Sequence, residues 1–537
     1  MNTTEPIPPG SFDVVSDEYP RIPRSARRGP LVGLIGLLVA FVAIGSLFAL
    51  QQPPFVGADE KAHLGYAYVV ANGDLPEIET RLPVPLWAEQ WLQETIYTEE
   101  DVNRTVWVAN HPPLYYVTTT PLVWWSEWTE RADGGLLLMR LANVAWGAVG
   151  IAFTYLVASE LTRSTRLALL SAGAAAMVTQ LYAALSLAMS DGMTFAAGAA
   201  VTWAGLRCLQ RGTTLANLSL LSGLTVIAAG ARAATLLVAG AVIAGITLFE
   251  MKDRVRAAGW RDAWVAGSRV AVIGLVPAIL AWGWFYARNI ALYGDIGASS
   301  YLLERFDREP NGSLLATLND NSLWRALYTR TMSPLTYAGP RPPLMMLVAA
   351  LAIGGLVGVW LTRRTGDRDR SGQSHPIARR SIVLLLAVLA VIVVYIAQHV
   401  SGGGYLHPRY AFPALAAVAT MLVVGLDRIV PRLLPLVVVF AMGGWTLSQL
   451  PVGIDPANHS RPRDGSRLAP AALRSLPGGE LSRWLAVSGI VVGLAVAAGA
   501  LLVVTLRGTV RWPARDGARP EDRAGVDGTA PAVSAGD

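Results

Sequence analysis

The chain has 537 residues, of which 53% are hydrophobic and only 15% charged, and its mean hydropathy is +0.41. A soluble domain carries about 25% charged residues, and apolar runs recur here from residue 31 to residue 506, so a soluble enzyme with a membrane tail is excluded. Cys208 is the sole cysteine, which excludes an intramolecular disulfide framework, and the formal charge of +6 follows the membrane topology rather than a nucleic-acid footprint.

A helix needs about 20 apolar residues to cross a bilayer. Twelve segments qualify, near 31–51, 136–160, 166–185, 188–209, 214–230, 232–250, 268–290, 343–362, 381–400, 408–427, 430–448 and 482–506. The fold class read from this pattern is an all-α polytopic membrane protein with about 12 transmembrane helices. Only Gly230, Ala231 and Arg232 separate the fifth segment from the sixth. The first segment is too long for a cleaved signal peptide and has no small-residue cleavage site after it.

Basic residues orient the spans. With the N-terminus inside, behind Arg21, Arg24, Arg27 and Arg28, the inner segments hold 26 Arg+Lys against 16 Asp+Glu, and the outer segments 18 against 22. Twelve spans return the C-terminus to the inside. Residues 1–29 and 511–537 read as disordered cytoplasmic tails, because they are rich in Pro, Gly, Asp and Arg and lack apolar periodicity; residues 30–510 form the membrane domain.

Two outer loops are long, about 52–135 and 291–342, and loops of that length are usually functional. The first holds 13 acids against four bases. Within it, Trp87 and Trp91, and Leu92 and Ile96, are spaced four apart, as in an amphipathic helix lying on the membrane surface. Trp124, Trp125 and Trp128 read as interface anchors.

The sharpest local feature is Asp59-Glu60-Lys61-Ala62-His63, where the first span leaves the membrane. A helix starting here puts Asp59 and His63 on one face. Two carboxylates and an imidazole supply a base or the ligands of a divalent cation; equally, Asp59 serves as the N-cap of a surface helix. The element Asn110-His111-Pro112-Pro113-Leu114-Tyr115-Tyr116 offers either a sugar-stacking wall or a proline-started helix with interface tyrosines. Arg140, Asp191, Arg232, Arg288 and Arg409 interrupt apolar sequence at the outer ends of their helices. Charge at membrane depth is a functional-site hypothesis by default, and Arg matches phosphate because its fork bonds two oxygens; taken singly, each also fits snorkelling to the interface. His407-Pro408-Arg409-Tyr410 follows a glycine-rich turn, Ser401–Gly404, that reads as a ligand-approaching loop or a flexible connector. No Walker lysine, HExxH or GxSxG is present.

Taken in order, these features resemble the GT-C superfamily of integral-membrane glycosyltransferases, and within it a branch of bacterial membrane proteins with an Asp-Glu…His motif after the first helix. The motifs carrying the resemblance are Asp59, Glu60 and His63; His111 to Tyr116; Ser190-Asp191; Arg288-Asn289 with Tyr293-Gly294; and His407-Pro408-Arg409-Tyr410 with Pro413. Two positions depart from it: Pro408 stands where a Gly is usual, and Arg232 where Lys is more frequent. The resemblance implies a lipid-linked donor, a polyprenyl-phosphate sugar, used on the outer face of a bacterial plasma membrane, with an envelope polysaccharide, lipid or protein as acceptor and no nucleic-acid partner. It also implies that Asp59, with Glu60 and His63, carries catalysis. His111, Tyr115, Tyr116, Arg140, Asp191, Arg232, Arg288, Asn289, His407, Arg409 and Tyr410 would then bind substrate and phosphate. The one candidate cofactor is a divalent cation on Asp59, Glu60 and His63. Two rivals stand beside this reading. A flippase of lipid-linked saccharides would need no acid cluster at the exit of its first helix and often shows internal repeats, which are not visible here. A non-catalytic envelope-assembly protein of the same shape is the other, since fold does not fix function.

Overall fold

The computed structural model describes residues 24–52, 55, 59–82, 105–129, 132–332, 342–361, 379–449 and 479–506. The predicted surface helix with Trp87 and Trp91 lies outside the described residues, as do the tails apart from the first helix's opening turns.

The first helix, α1 (Arg24–Gln51), leads into α2 (Glu60–Ala71) and α3 (Leu114–Trp128) of the first long loop. Then follow α4 (Ala132–Thr162), α5 (Thr165–Ala176), α6 (Thr179–Leu185) and α7 (Asp191–Arg211). Next come α8 (Leu215–Ala231), α9 (Ala233–Ala258) and α10 (Trp260–Tyr293). The second long loop holds three short helices, α11 (Ser299–Arg305), α12 (Leu314–Asn319) and α13 (Asn321–Met332). The bundle closes with α14 (Pro342–Leu361), α15 (Arg379–Ser401), the 3-10 segment Pro408–Ala414, α16 (Leu415–Ile429), α17 (Leu433–Gln449) and α18 (Gly479–Leu506). An isolated antiparallel β-bridge pairs Arg81 with Thr105.

All twelve predicted segments are helical. Eight helices are long and apolar enough to cross a membrane by themselves, and nine if the bent pair α5–α6 counts as one span. The remaining three are α7, α8 and α17; α8 and α17 are apolar but have only 17 residues each.

Two of the breaks show how backbone polar groups are satisfied inside the bundle, as a lipid environment demands. At the 57° bend between α5 and α6, the freed Ala176 carbonyl accepts from the Tyr182 hydroxyl at 2.8 Å. The Met177 carbonyl accepts from Thr446 on α17 at 2.6 Å. The α8–α9 break is a single extended residue, Arg232. There the last carbonyls of α8 are taken by α10: Trp282 Nε1 donates to Val226 O at 2.8 Å and the Tyr286 hydroxyl to Ala229 O at 2.7 Å.

The bundle is apolar on its outer surface as well as in its core. α10 presents Trp264, Val265, Ile279 and Leu280 outward, each more than 60% exposed, as a lipid-facing helix does. α7 is buried along most of its length; its small residues let neighbours approach closely. At Gly198 an added Cβ would lie 2.3 Å from the Pro413 carbonyl oxygen, so a side chain there would displace the 3-10 segment. That contact fixes Arg409 and Tyr410 over the N-terminus of α7.

Candidate functional site

Asp59 occupies the N-cap position of α2 but makes no side-chain cap bond, so capping does not account for it. Its Oδ2 pairs instead with Arg409 Nη2, and Trp107 Nε1 donates to its Oδ1 at 3.3 Å. Arg409 Nη1 also approaches Asp191 Oδ2 at 3.7 Å, and Arg232 Nη1 donates to Asp191 Oδ1 at 2.6 Å. Two acids and two arginines from α2, α7, the α8–α9 break and the 3-10 segment thus alternate in one charge-balanced chain. The Tyr410 ring lies 5.8 Å from the Arg232 guanidinium and 6.0 Å from that of Arg409, a cation–π distance. Burial raises the Asp59 carboxyl, but the Arg409 guanidinium, helped by His63 and the Trp107 hydrogen bond, outweighs it and holds the group well below the usual carboxylate range. The Asp59 side chain remains 27% exposed, so this acid is reachable.

Glu60, predicted beside Asp59 in the chemistry, faces the opposite way. Arg140 grips it in a fork, Nε to Oε1 at 2.7 Å and Nη2 to Oε2 at 2.8 Å. The backbone N–H groups of Ala188 and Phe55 donate to the same carboxylate at 2.8 and 3.0 Å. Phe55 sits in the left-handed region at φ 58°, a costly place for a large side chain that this bond helps hold. Arg140 also donates to the Ala49 and Gln52 carbonyls at 3.1 and 2.7 Å, the open end of α1. With the side chains 0% and 4% exposed, the pair joins α1, α2, α4 and the turn before α7. Neither Glu60 nor Arg140 presents a free atom to a substrate there.

His63 is buried and its Nδ1 is 2.7 Å from the Tyr116 hydroxyl. Burial pushes its imidazole down to about 3, against the pull of Asp59, and burial likewise lowers His111 well below its ordinary value. Both are therefore neutral at physiological pH. Their rings lie 5.6 Å apart, and the buried His111 Nδ1 has no hydrogen-bond partner among the described residues. Tyr115 and Tyr116 are fully buried. The Tyr66 ring stacks on Tyr116 with centroids 3.6 Å apart, and Tyr66 donates to the His111 carbonyl at 2.9 Å. Of the two readings of this element, the sugar-stacking wall would need an open ring face, whereas both tyrosines are buried and Tyr66 covers one face of Tyr116.

Arg288 and Asn289 hold the rim. Arg288 Nη2 donates to Pro76 O at 2.9 Å and lies 3.9 Å from Glu77, so this guanidinium turns away from the Asp59–Arg232 chain. Asn289 is buried and donates to the carbonyls of Asn110 and Ile296 at 3.0 and 2.9 Å, tying the second outer loop to the turn before His111. His407 is exposed and edge-on to Tyr410 at 5.7 Å. Among the described residues no group of three or more His, Cys, Asp or Glu side chains is placed to hold a metal. Asp59, Glu60 and His63 diverge to Arg409, Arg140 and Tyr116, so they do not fit the divalent cation that their spacing offered.

Sequence reasoning missed Trp107, Tyr66 and Asn143. Asn143 accepts from Gly192 N at 2.7 Å and donates to Leu187 O at 2.9 Å, seating the turn that delivers Asp191. Its one sequence signal was a polar residue within an apolar run of α4; Trp107 and Tyr66 gave none.

The chain is similar in shape to two crystal structures of ArnT from Cupriavidus metallidurans. The one bound to undecaprenyl phosphate is 17% identical over 89% of this chain and 72% of that one, with a TM-score of 0.47. The apo-state structure is 16% identical over 88% of this chain and 77% of that one, with a TM-score of 0.46. No family model and no curated protein matches the sequence.

Proposed function

We propose that the protein is a glycosyltransferase that moves a sugar from a polyprenyl-phosphate-linked donor to an acceptor hydroxyl at the outer face of a bacterial plasma membrane. The observation that carries this reading is the alternating chain Asp59–Arg409–Asp191–Arg232, reachable at Asp59 and built at one end of a membrane-spanning bundle. Asp59 takes the proton of the acceptor hydroxyl, whose oxygen attacks the anomeric carbon. The bond from that carbon to the phosphate oxygen breaks, and polyprenyl phosphate leaves with the bonding electrons. Arg232 and Arg409 stabilise the growing phosphate charge, the pre-oriented kind of stabilisation that contributes most in a low-dielectric site. The bundle lets the lipid tail remain in the bilayer.

Arg409 and Trp107 occupy both oxygens of Asp59. A donor phosphate arriving at Arg409 competes for the guanidinium and releases Oδ2, so the base is freed where the donor is bound. Asp191 keeps Arg232 oriented throughout. Glu60 and Arg140 position the exit of α1 and act through the fold.

The test is direct. Purified protein given polyprenyl-phosphate sugar and an acceptor extract releases polyprenyl phosphate; transfer of the lipid across liposomes without its consumption would instead identify a flippase. Arg409→Ala and Arg232→Ala weaken polyprenyl-phosphate binding about tenfold or more, as expected for a charge-assisted bond of roughly 1.5–3 kcal/mol, whereas exposed Arg325 on α13 can be replaced by Ala without effect. Equal losses in all three would remove the anion site. The orientation, with both termini cytoplasmic, is checked by cysteine labelling, since the native Cys208 is buried. A Cys at exposed Asp74 reacts with an impermeant maleimide on intact cells, and a Cys at exposed Arg256 reacts only after lysis.

A further inference from the structure

A strip of stacked cations and rings starts at the candidate base. Trp107, whose indole N–H donates to Asp59, carries the Lys61 ammonium over its ring, 5.4 Å from the centroid. Its edge meets Phe306 at 6.4 Å and 87°. Arg308 lies 5.1 Å from the Phe306 centroid and 4.2 Å from that of Tyr405. Tyr405 is 64% exposed and stands four residues before Arg409. The strip thus runs Lys61, Trp107, Phe306, Arg308, Tyr405, from the carboxylate out to solvent.

The two cations have a telling environment. Lys61 is one of only two lysines in the chain, and it stands in an outer loop with 13 acids against four bases. Yet among the described residues neither Lys61 nor Arg308 forms a salt bridge with a carboxylate. The neighbouring Arg305 behaves in the ordinary way and pairs with Glu79. Burial lowers the Lys61 ammonium.

The strip is also held in place. Asn311 N donates to Ser401 O at 2.8 Å and Asn311 Nδ2 to Val400 O at 3.0 Å, which stitches the loop of Arg308 to the turn of Tyr405. Gly403 in that turn has φ +103° and would place a Cβ 2.4 Å from the Glu309 carbonyl oxygen. Only glycine fits there, and it brings the two loops together.

We propose that this strip seats the acceptor and that the acceptor is an anionic saccharide. The electron-rich faces of Tyr405 and Phe306 match the C–H faces of a pyranose ring. Arg308 and Lys61 take the acid groups of that ring or of the next, since a cation already resting on an aromatic face keeps its N–H edge free for a second partner. A sugar lying along the strip brings a hydroxyl to Asp59 beside Trp107. The proposal rests on the transferase reading for the identity of the reacting hydroxyl, whereas the binding it requires is separate from turnover.

The experiment measures binding of three probes to the full chain in detergent: a hyaluronan hexasaccharide carrying carboxylates, pentamannosyl phosphate carrying a phosphate, and neutral chitohexaose. At low ionic strength at least one anionic probe binds about tenfold more tightly than chitohexaose or better, and the preference shrinks as salt screens it. Which of the two binds assigns carboxylate or phosphate. In Lys61→Gln/Arg308→Gln protein, monodisperse and with unchanged Tm, the preference falls to about one. Tyr405→Ala weakens whichever probe binds at all salt concentrations. Equal binding of neutral and anionic probes, no saccharide binding, or a preference surviving the double substitution would each overturn the proposal. Polyprenyl phosphate is titrated into the same wild-type preparation: saccharide preference without lipid binding refutes the transferase reading alone, and lipid binding without saccharide preference refutes this one alone.

Discussion

Asp59→Asn protein is expected to release polyprenyl phosphate at least a hundredfold more slowly than the parent, while binding polyprenyl phosphate as well or better. The size follows from general-base catalysis, which contributes about 10²–10⁴-fold. Asparagine has nearly the same shape, so the change removes charge and proton affinity and little packing. Trp107 keeps an acceptor in the amide oxygen. Arg409 loses its paired carboxylate and becomes more available to phosphate, which is why donor affinity holds or rises as turnover falls. A structural role for Asp59 would lower both together and would reduce thermal stability. Normal turnover by the Asn variant would end the assignment of Asp59 as base.

Arg140→Ala is expected to damage the fold rather than the chemistry. It leaves the Glu60 carboxylate, 0% exposed, without its counter-ion, and removing one partner of a buried pair costs about 3–5 kcal/mol. The readouts are Tm and the monodisperse fraction in detergent, both of which drop sharply. Combining Arg140→Ala with Glu60→Gln recovers part of the loss, because no bare charge remains buried; recovery is partial, since Gln offers one acceptor oxygen where the carboxylate serves Phe55 and Ala188 with two. If Arg140→Ala protein is fully stable yet inactive, then Glu60 takes part in the reaction and the division of labour drawn between the two adjacent acids is wrong.

That division illustrates what could be read from the sequence. Asp59 and Glu60 are neighbours of the same type, and a helix beginning at this point was legible from Pro53, Pro54 and the following polar run. Which of the two faces solvent depends on the roll of α2 against α4, fixed by Arg140 80 positions away. The same holds for the arginines. All were read as one group at the outer ends of helices; Arg232 and Arg409 do stand at helix ends, whereas Arg140 lies more than two turns inside α4 and Arg288 more than one turn before the end of α10. Arg232 and Arg409 converge on Asp191, Arg140 is engaged by Glu60, and Arg288 turns to Pro76 and Glu77. Tyr115 and Tyr116 gave the strongest local signal for sugar stacking, but Tyr66, from another helix, already covers Tyr116.

The sequence by itself determined the helices, their apolar stretches and the set of charged residues that interrupt them. These properties are local: about 20 apolar residues in a row must form a helix because lipid offers no partner for free backbone groups. Only the tertiary structure decided which carboxylate meets which guanidinium, which rings are covered, and that Trp107 joins the charge chain to the aromatic strip. Those pairings span dozens to hundreds of residues along the chain and depend on helix rotations of a few tens of degrees, which spacing within one segment does not encode.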